Sequence, residues 1–77
     1  MPTKEIRIEF PSALVRKPLT QELIRSFPSL IINIHMAQIS SNGGWMEVSI
    51  SGKSLEIDNA LDWIDKQGLK IQQAGGQ

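Results

Sequence analysis

The chain has no cysteine and a single histidine among its 77 residues. Without cysteine there is no disulfide frame, thiolate zinc site, iron–sulfur cluster or thiol nucleophile, and a cytoplasmic setting is favoured. One histidine supplies neither a metal set nor a partnered nucleophile, and the carboxylates are scattered over turns, helix surfaces and a strand face, so no catalytic residue, metal site or cofactor is expected. An excess of one charge is missing too: eight basic and eight acidic residues give a formal net charge of zero. No broad field therefore draws the protein to nucleic acid or to an anionic membrane. No apolar run approaches membrane length, and the opening MPTKEIRIEF is charged rather than signal-like, so a soluble chain without direct membrane insertion is expected.

What is present is 40% apolar and 21% charged residues, enough for one globular core and too few residues for two. Residues 1–73 are expected to form a single domain, with 74–77 (AGGQ) a flexible tail. Ile6, Ile8 and Phe10 alternate with Arg7 and Glu9, which predicts a strand over 4–10 ended by Pro11. A loop, PSALVRKP, leads to Pro18 and a helix to Phe27, with Leu19, Leu23, Ile24 and Phe27 at core spacing. SLIINIHMAQIS is rich in β-branched residues and reads as a second strand. Its parity predicts Leu30, Ile32, Ile34 and Met36 inward, and Ile31, Asn33, His35, Ala37 and Ile39 outward. A turn at Ser40–Gly44 precedes a third strand with Met46, Val48 and Ile50 inward and Trp45, Glu47, Ser49 and Ser51 outward. A second helix from Lys53 or Ser54 carries Ile57, Ala60, Leu61 and Ile64 as its core stripe and Trp63 on the flank, and ends at Gly68. Leu69 and Ile71 give a short fourth strand.

The order β-α-β-β-α-β predicts an α+β, ferredoxin-like two-layer sandwich: a four-stranded antiparallel sheet, order 4-1-3-2, with both helices on one face. The other face then stays open and carries Arg7, Glu9, Asn33, His35, Trp45, Glu47 and Ser49. RNA-binding domains of this topology stack bases on aromatics of the two central strands. Here strand one offers Arg7 and Glu9, and strand three offers Trp45 followed by Glu47, so nucleic acid is not expected.

Several segments together resemble the NIL domain: IEFP at 8–11, KP at 17–18, INIH at 32–35, GGWMEVSISG at 43–52 and ALDWIDKQGLKI at 60–71. The family is named for an Asn-Ile-Leu triplet on the second strand, and the triplet here is Asn33-Ile34-His35. The resemblance implies a ferredoxin-like regulatory module related in shape to ACT domains. Such modules occur at the C-terminus of the ATPase subunit of bacterial methionine importers, where they bind methionine and inhibit transport. They also occur fused to ferredoxin-type segments and as small free-standing bacterial proteins, including cyanobacterial ones. No Walker phosphate loop is present, so an ATPase partner would be a separate protein.

On this reading the candidate ligand-binding residues are Asn33, His35 and Trp45 on the open face. Arg16 and Lys17 join them in the first loop, just before a helix N-terminus able to hold an anion. Candidate interface residues are Arg7, Ile31, Ala37, Ile39 and Glu47, which make the open face too apolar to be indifferent to association. A homodimer is expected, formed through open faces or edge strands. The leading expectation is a non-catalytic module sensing a small molecule, with an amino acid such as methionine implied by the resemblance. The alternative is a ligand-free adaptor that docks a larger protein partner on the open sheet.

Overall fold

A computed structural model describes residues 2–73. The elements are β1 (Thr3–Pro11), a 3-10 turn (Ser12–Leu14), α1 (Leu19–Ser26), β2 (Ile31–Ser40), β3 (Gly43–Ser51), α2 (Ser54–Lys66) and β4 (Lys70–Gln73). The expected C-terminal tail, 74–77, lies outside the described residues. The strands make one antiparallel sheet in the order β2-β3-β1-β4, which is the expected 4-1-3-2 order viewed from the opposite edge.

Period-two alternation puts Ile6, Ile8 and Phe10 of β1, and Met46, Val48 and Ile50 of β3, on one buried face. Leu19 and Leu23 of α1 and Ile57, Ala60 and Ile64 of α2 close over that face. Burying each large aliphatic side chain contributes about 1.5–3 kcal/mol, so these two central strands and their helix cover carry most of the stability. Phe27 meets Trp63 edge to face, with ring centroids 6.5 Å apart, and the pair seals the flank between the helices. Gly68 ends α2 with φ 91°, its N–H donating to the Asp65 carbonyl at 3.0 Å. Few residues other than glycine hold that cap conformation without strain.

Two expectations about the core are corrected. Ile24, expected in the α1 stripe, is 49% exposed. The helix is one residue short of two and a half turns, its buried line runs through Leu19 and Leu23, and the next residue is rotated about 100° away. The second correction concerns β2. Ile34 pairs with Val48, but the next partners are Met36 and Glu47, so His35 is an extra, bulged residue. Cross-strand partners share a face, and the bulge therefore reverses the parity beyond it. Met36, expected inward, lies on the open face opposite Glu47, whereas Ala37 and Ile39, expected there, lie on the helix side opposite Met46 and Gly44.

The helix side of β2 is nonetheless not a core. Ile34 and Ile39 are each 50% exposed, and among β2 residues only Ile32 packs against the buried cluster. The eight residues of α1 span about 12 Å, while the ten of β2 span about 33 Å, so the strand outruns its cover. Leu23→Ala is expected to cost about 2–5 kcal/mol in urea unfolding and Ile24→Ala less than about 1 kcal/mol, because only the first leaves a cavity. Equal losses would contradict the placement of Ile24.

Candidate functional site

The open face is organised around Arg7. Antiparallel register sets Arg7 opposite Glu47 on one side and Gln72 on the other, while the next outward residue, Glu9, faces Trp45 and Lys70. The Arg7 guanidinium lies over the Trp45 ring, with Cζ 4.2 Å from its centroid. Such a contact contributes about 0.5–2 kcal/mol, more as water is excluded. Two carboxylates flank the cation: Glu9 Oε2 is 3.8 Å from Nε and Glu47 Oε2 is 3.8 Å from the terminal nitrogen. These distances give charge balance but not hydrogen bonds, which need about 3.2 Å or less. Arg7 Nε is buried without a hydrogen-bond partner. A buried donor left in that state costs about 1–3 kcal/mol.

Beside this group a cleft of about 530 Å³ opens at the end of the sheet where β1 leaves and β3 and β4 begin. Arg7, Glu9, Trp45 and Lys70 line it from the open face, with Phe10, Pro11, Gly44 and Gly68 forming the rest of its wall. Its volume falls within the range of small-molecule sites. Gly44 is required by a close approach: a Cβ there would meet the Gln38 carbonyl oxygen at 2.5 Å and Ile39 Cα at 2.7 Å. The cleft thus brings together a guanidinium, an ammonium, a carboxylate and an indole.

The expected site residues are dispersed. Trp45 is in the cleft, and Arg7, expected at an interface, is beside it. Asn33 lies opposite Ser49, four residues along β3 from Trp45, or about 13 Å. His35 is exposed at the bulge. Arg16 and Lys17 are exposed in the loop before α1 and do not line the cleft. There, Pro18 has no N–H and the Leu19 N–H is donated to the Lys17 carbonyl at 2.8 Å, which removes donors an anion would use. Ile31 and Glu47 are on the open face as expected. The sequence reading puts Glu9 on the open face without a site role and does not name Lys70, although an antiparallel β1–β4 pairing with Ile71 inward is enough to set them side by side. Among the described residues no group of three or more His, Asp or Glu side chains is arranged to hold a metal ion, and no helix is long and apolar enough to cross a membrane.

The family model of the NIL domain matches residues 4–73. The chain belongs to the NIL domain family. Among solved structures, the C-terminal domain of an ABC transporter ATP-binding protein from Enterococcus faecalis is similar, with TM-score 0.80 and 15% identity over 96% of this chain and 86% of that one. Two designed proteins share the architecture: Foldit4, with TM-score 0.61 and 14% identity over 97% of each chain, and LFR1 1, described as having a ferredoxin fold, with TM-score 0.52 and 10% identity over 96% of this chain and 84% of that one. At such identities the likeness is one of fold. No curated protein sequence matches the chain.

In this NIL domain the Arg7–Trp45 contact is measurable. A double-mutant cycle with Arg7→Ala and Trp45→Ala, read by chemical denaturation, is expected to give a coupling of about 0.5–2 kcal/mol. A coupling near zero would mean that the stacked geometry is not populated in solution.

Proposed function

We propose that this NIL domain is a non-catalytic regulatory module that senses a small zwitterion, an α-amino acid with an apolar side chain, in the cleft beside Arg7 and Trp45. The observation that carries the proposal is the convergence of opposite charges around an apolar wall. A ligand carboxylate would face the Arg7 guanidinium and Lys70, its ammonium would face Glu9, and its side chain would lie against Trp45. A simple anion would meet Glu9 as well as the cations, and a simple cation would meet Arg7 over the indole, so a ligand carrying both charges fits best. Membership of the NIL family supports a regulatory role, and methionine is the amino acid favoured by the family's use in importers. The module acts in the cytoplasm, as a homodimer that passes ligand occupancy to a larger protein partner through a change in population of its bound states.

A second reading is favoured by the exposure of Ile31 and Met36 on the same sheet face, 54% and 56%. These exposed apolar residues, together with Trp45 farther along the same face, would suit a ligand-free adaptor that docks a protein partner directly. Thermal melts with a panel of amino acids separate the two. A sensor gains RT ln(1 + [L]/Kd), about 2.7 kcal/mol at a hundred times Kd. The midpoint is expected to rise with methionine concentration, and the rise is expected to disappear in Glu9→Gln and Lys70→Gln but to persist when Arg16 and Lys17 are both changed to Ala. A panel that stays flat up to millimolar concentrations would overturn the sensor and leave the adaptor.

A further inference from the structure

We propose that Glu47, which does not line the cleft, makes the cleft prefer a zwitterion to a simple carboxylate, by holding Arg7 so that Glu9 stays free for a ligand ammonium. The proposal rests on the zwitterion reading given above and adds a residue that sets specificity without touching the ligand.

Three side chains with formal charge line the cleft: Arg7, Glu9 and Lys70. Two are cations and one is an anion, so on these charges alone the cleft favours a ligand with net negative charge. Glu9 is also claimed from within the protein. Its Oε2 lies 3.8 Å from Arg7 Nε, and an arginine left to a single carboxylate closes on it through two parallel hydrogen bonds. A Glu9 held in that way has little to offer an ammonium, and the cleft would then read carboxylates alone.

Glu47 changes this balance. Antiparallel register places it directly opposite Arg7, and its Oε2 is 3.8 Å from a terminal nitrogen of the guanidinium. Three attractions therefore act on one cation: Glu9 along β1, Glu47 across the β1–β3 pair, and the Trp45 ring, whose centroid is 4.2 Å from Cζ. The guanidinium stands equally far from the two acids and closes on neither, since 3.8 Å is longer than a hydrogen bond. Glu9 is thereby left unspent. Counting Glu47 with the three lining charges brings the local sum to zero, which suits a zwitterion and gives a simple carboxylate no net advantage. Lys70, the partner of Glu9 on β4, is in no ion pair among the described residues, so a cation is available to the ligand carboxylate while Arg7 is engaged.

Folding stability gives Glu47 little reason to be there. The side chains of Arg7, Glu9 and Glu47 are each about a third exposed, at 35%, 36% and 36%, and ion pairs so open to solvent contribute little. Removing the Glu47 charge therefore alters what the cleft selects more than whether the chain folds. Arg7 is released toward Glu9, and one positive charge is left in excess. A zwitterion loses its ammonium partner through the first change and draws no net benefit from the second, because its own charges cancel. A simple carboxylate has no ammonium to lose and gains from the excess charge. The preference falls although no group in contact with the ligand has been altered.

Isothermal titration calorimetry of the full chain with methionine and with methylthiobutanoate, the same molecule without its α-amine, tests the proposal at low salt, where such charges are screened least. Circular dichroism verifies the folding of each variant. The wild type is expected to bind methionine more tightly. In Glu47→Gln the ratio of the two affinities is expected to fall about three- to tenfold, through weaker methionine and unchanged or tighter methylthiobutanoate. Glu47→Asp keeps the charge and is expected to restore most of the ratio. Glu5→Gln removes an acid from β1 that lies opposite Ser49 rather than beside the cleft, and is expected to leave the ratio unchanged. A ratio that survives in Glu47→Gln, or a loss shared equally by both ligands, would overturn the role of Glu47 and leave the zwitterion reading standing. A wild type that binds neither ligand, or shows no preference for methionine, would overturn that reading and the proposal together.

Discussion

The organising constraint of this fold is a mismatch of cover. Two helices of eight and thirteen residues, about 12 and 20 Å long, roof a sheet whose longest strand spans about 33 Å. Their apolar stripes fit the paired central strands, where Ile6, Ile8, Val48 and Ile50 are each no more than 1% exposed. Among the described residues nothing remains to cover β2 beyond Ile32 or the reverse side of the sheet. The protein is therefore stable in the middle and chemically available at its margins. A hydrophobic strand left outside the core is the unusual consequence, since large exposed apolar groups are ordinarily dispersed rather than lined up along one edge.

The open side could have become a second apolar face and drawn the sheet into uncontrolled association. Arg7 prevents this by placing a cation at the centre, over the one aromatic residue on that side, between Glu9 and Glu47. Its fixed charges nearly cancel, which suits a chain with no net field, but its donors are not all used. The same residues thus keep the centre of the face polar, and all but Glu47 line the cleft. Ser49, buried between Glu5 and Asn33 in the register, continues the polar line along β3.

How far this was legible in the sequence differs between elements, for physical reasons. The alternation in β1 and β3, the stripe of α2 and the glycine that ends it are local patterns, and the structure follows them closely. The order of strands follows from connectivity once two helices must share one face. The reversal in β2 was not legible, because its apolar residues fall on both parities. Ile32, Ile34 and Met36 form one set, Ile31, Ala37 and Ile39 the other, so the sequence tolerates a bulge at His35 without disturbing any visible pattern. Ile24 misled for a related reason: in so short a helix the buried line is set by where the axis lies over the sheet, and periodicity cannot specify that. The cleft depended on register as well. Glu9 and Lys70 are 61 positions apart in the chain, and only the pairing of β1 with β4 makes them neighbours.

The cleft and the β2 edge are not structurally independent. Gln38 pairs with Trp45 and Ile39 with Gly44, so the end of β2 rests directly on the two β3 residues that line the cleft. At Gly44 the strands are so close that no side chain fits between them. A ligand pressing on Trp45 would therefore act on the same backbone ladder that ends at the β2 edge. If occupancy favours one twist of that hairpin and association favours another, each event weakens the other; if they favour the same twist, each strengthens the other. Reciprocity requires the same coupling free energy in both directions, so a ligand that changes association tenfold must find its own affinity changed tenfold by association. The described residues form one domain and hold no interdomain hinge that could report an occupied cleft. A shared hairpin between cleft and edge gives it the shortest path by which binding in one place can alter contact in another.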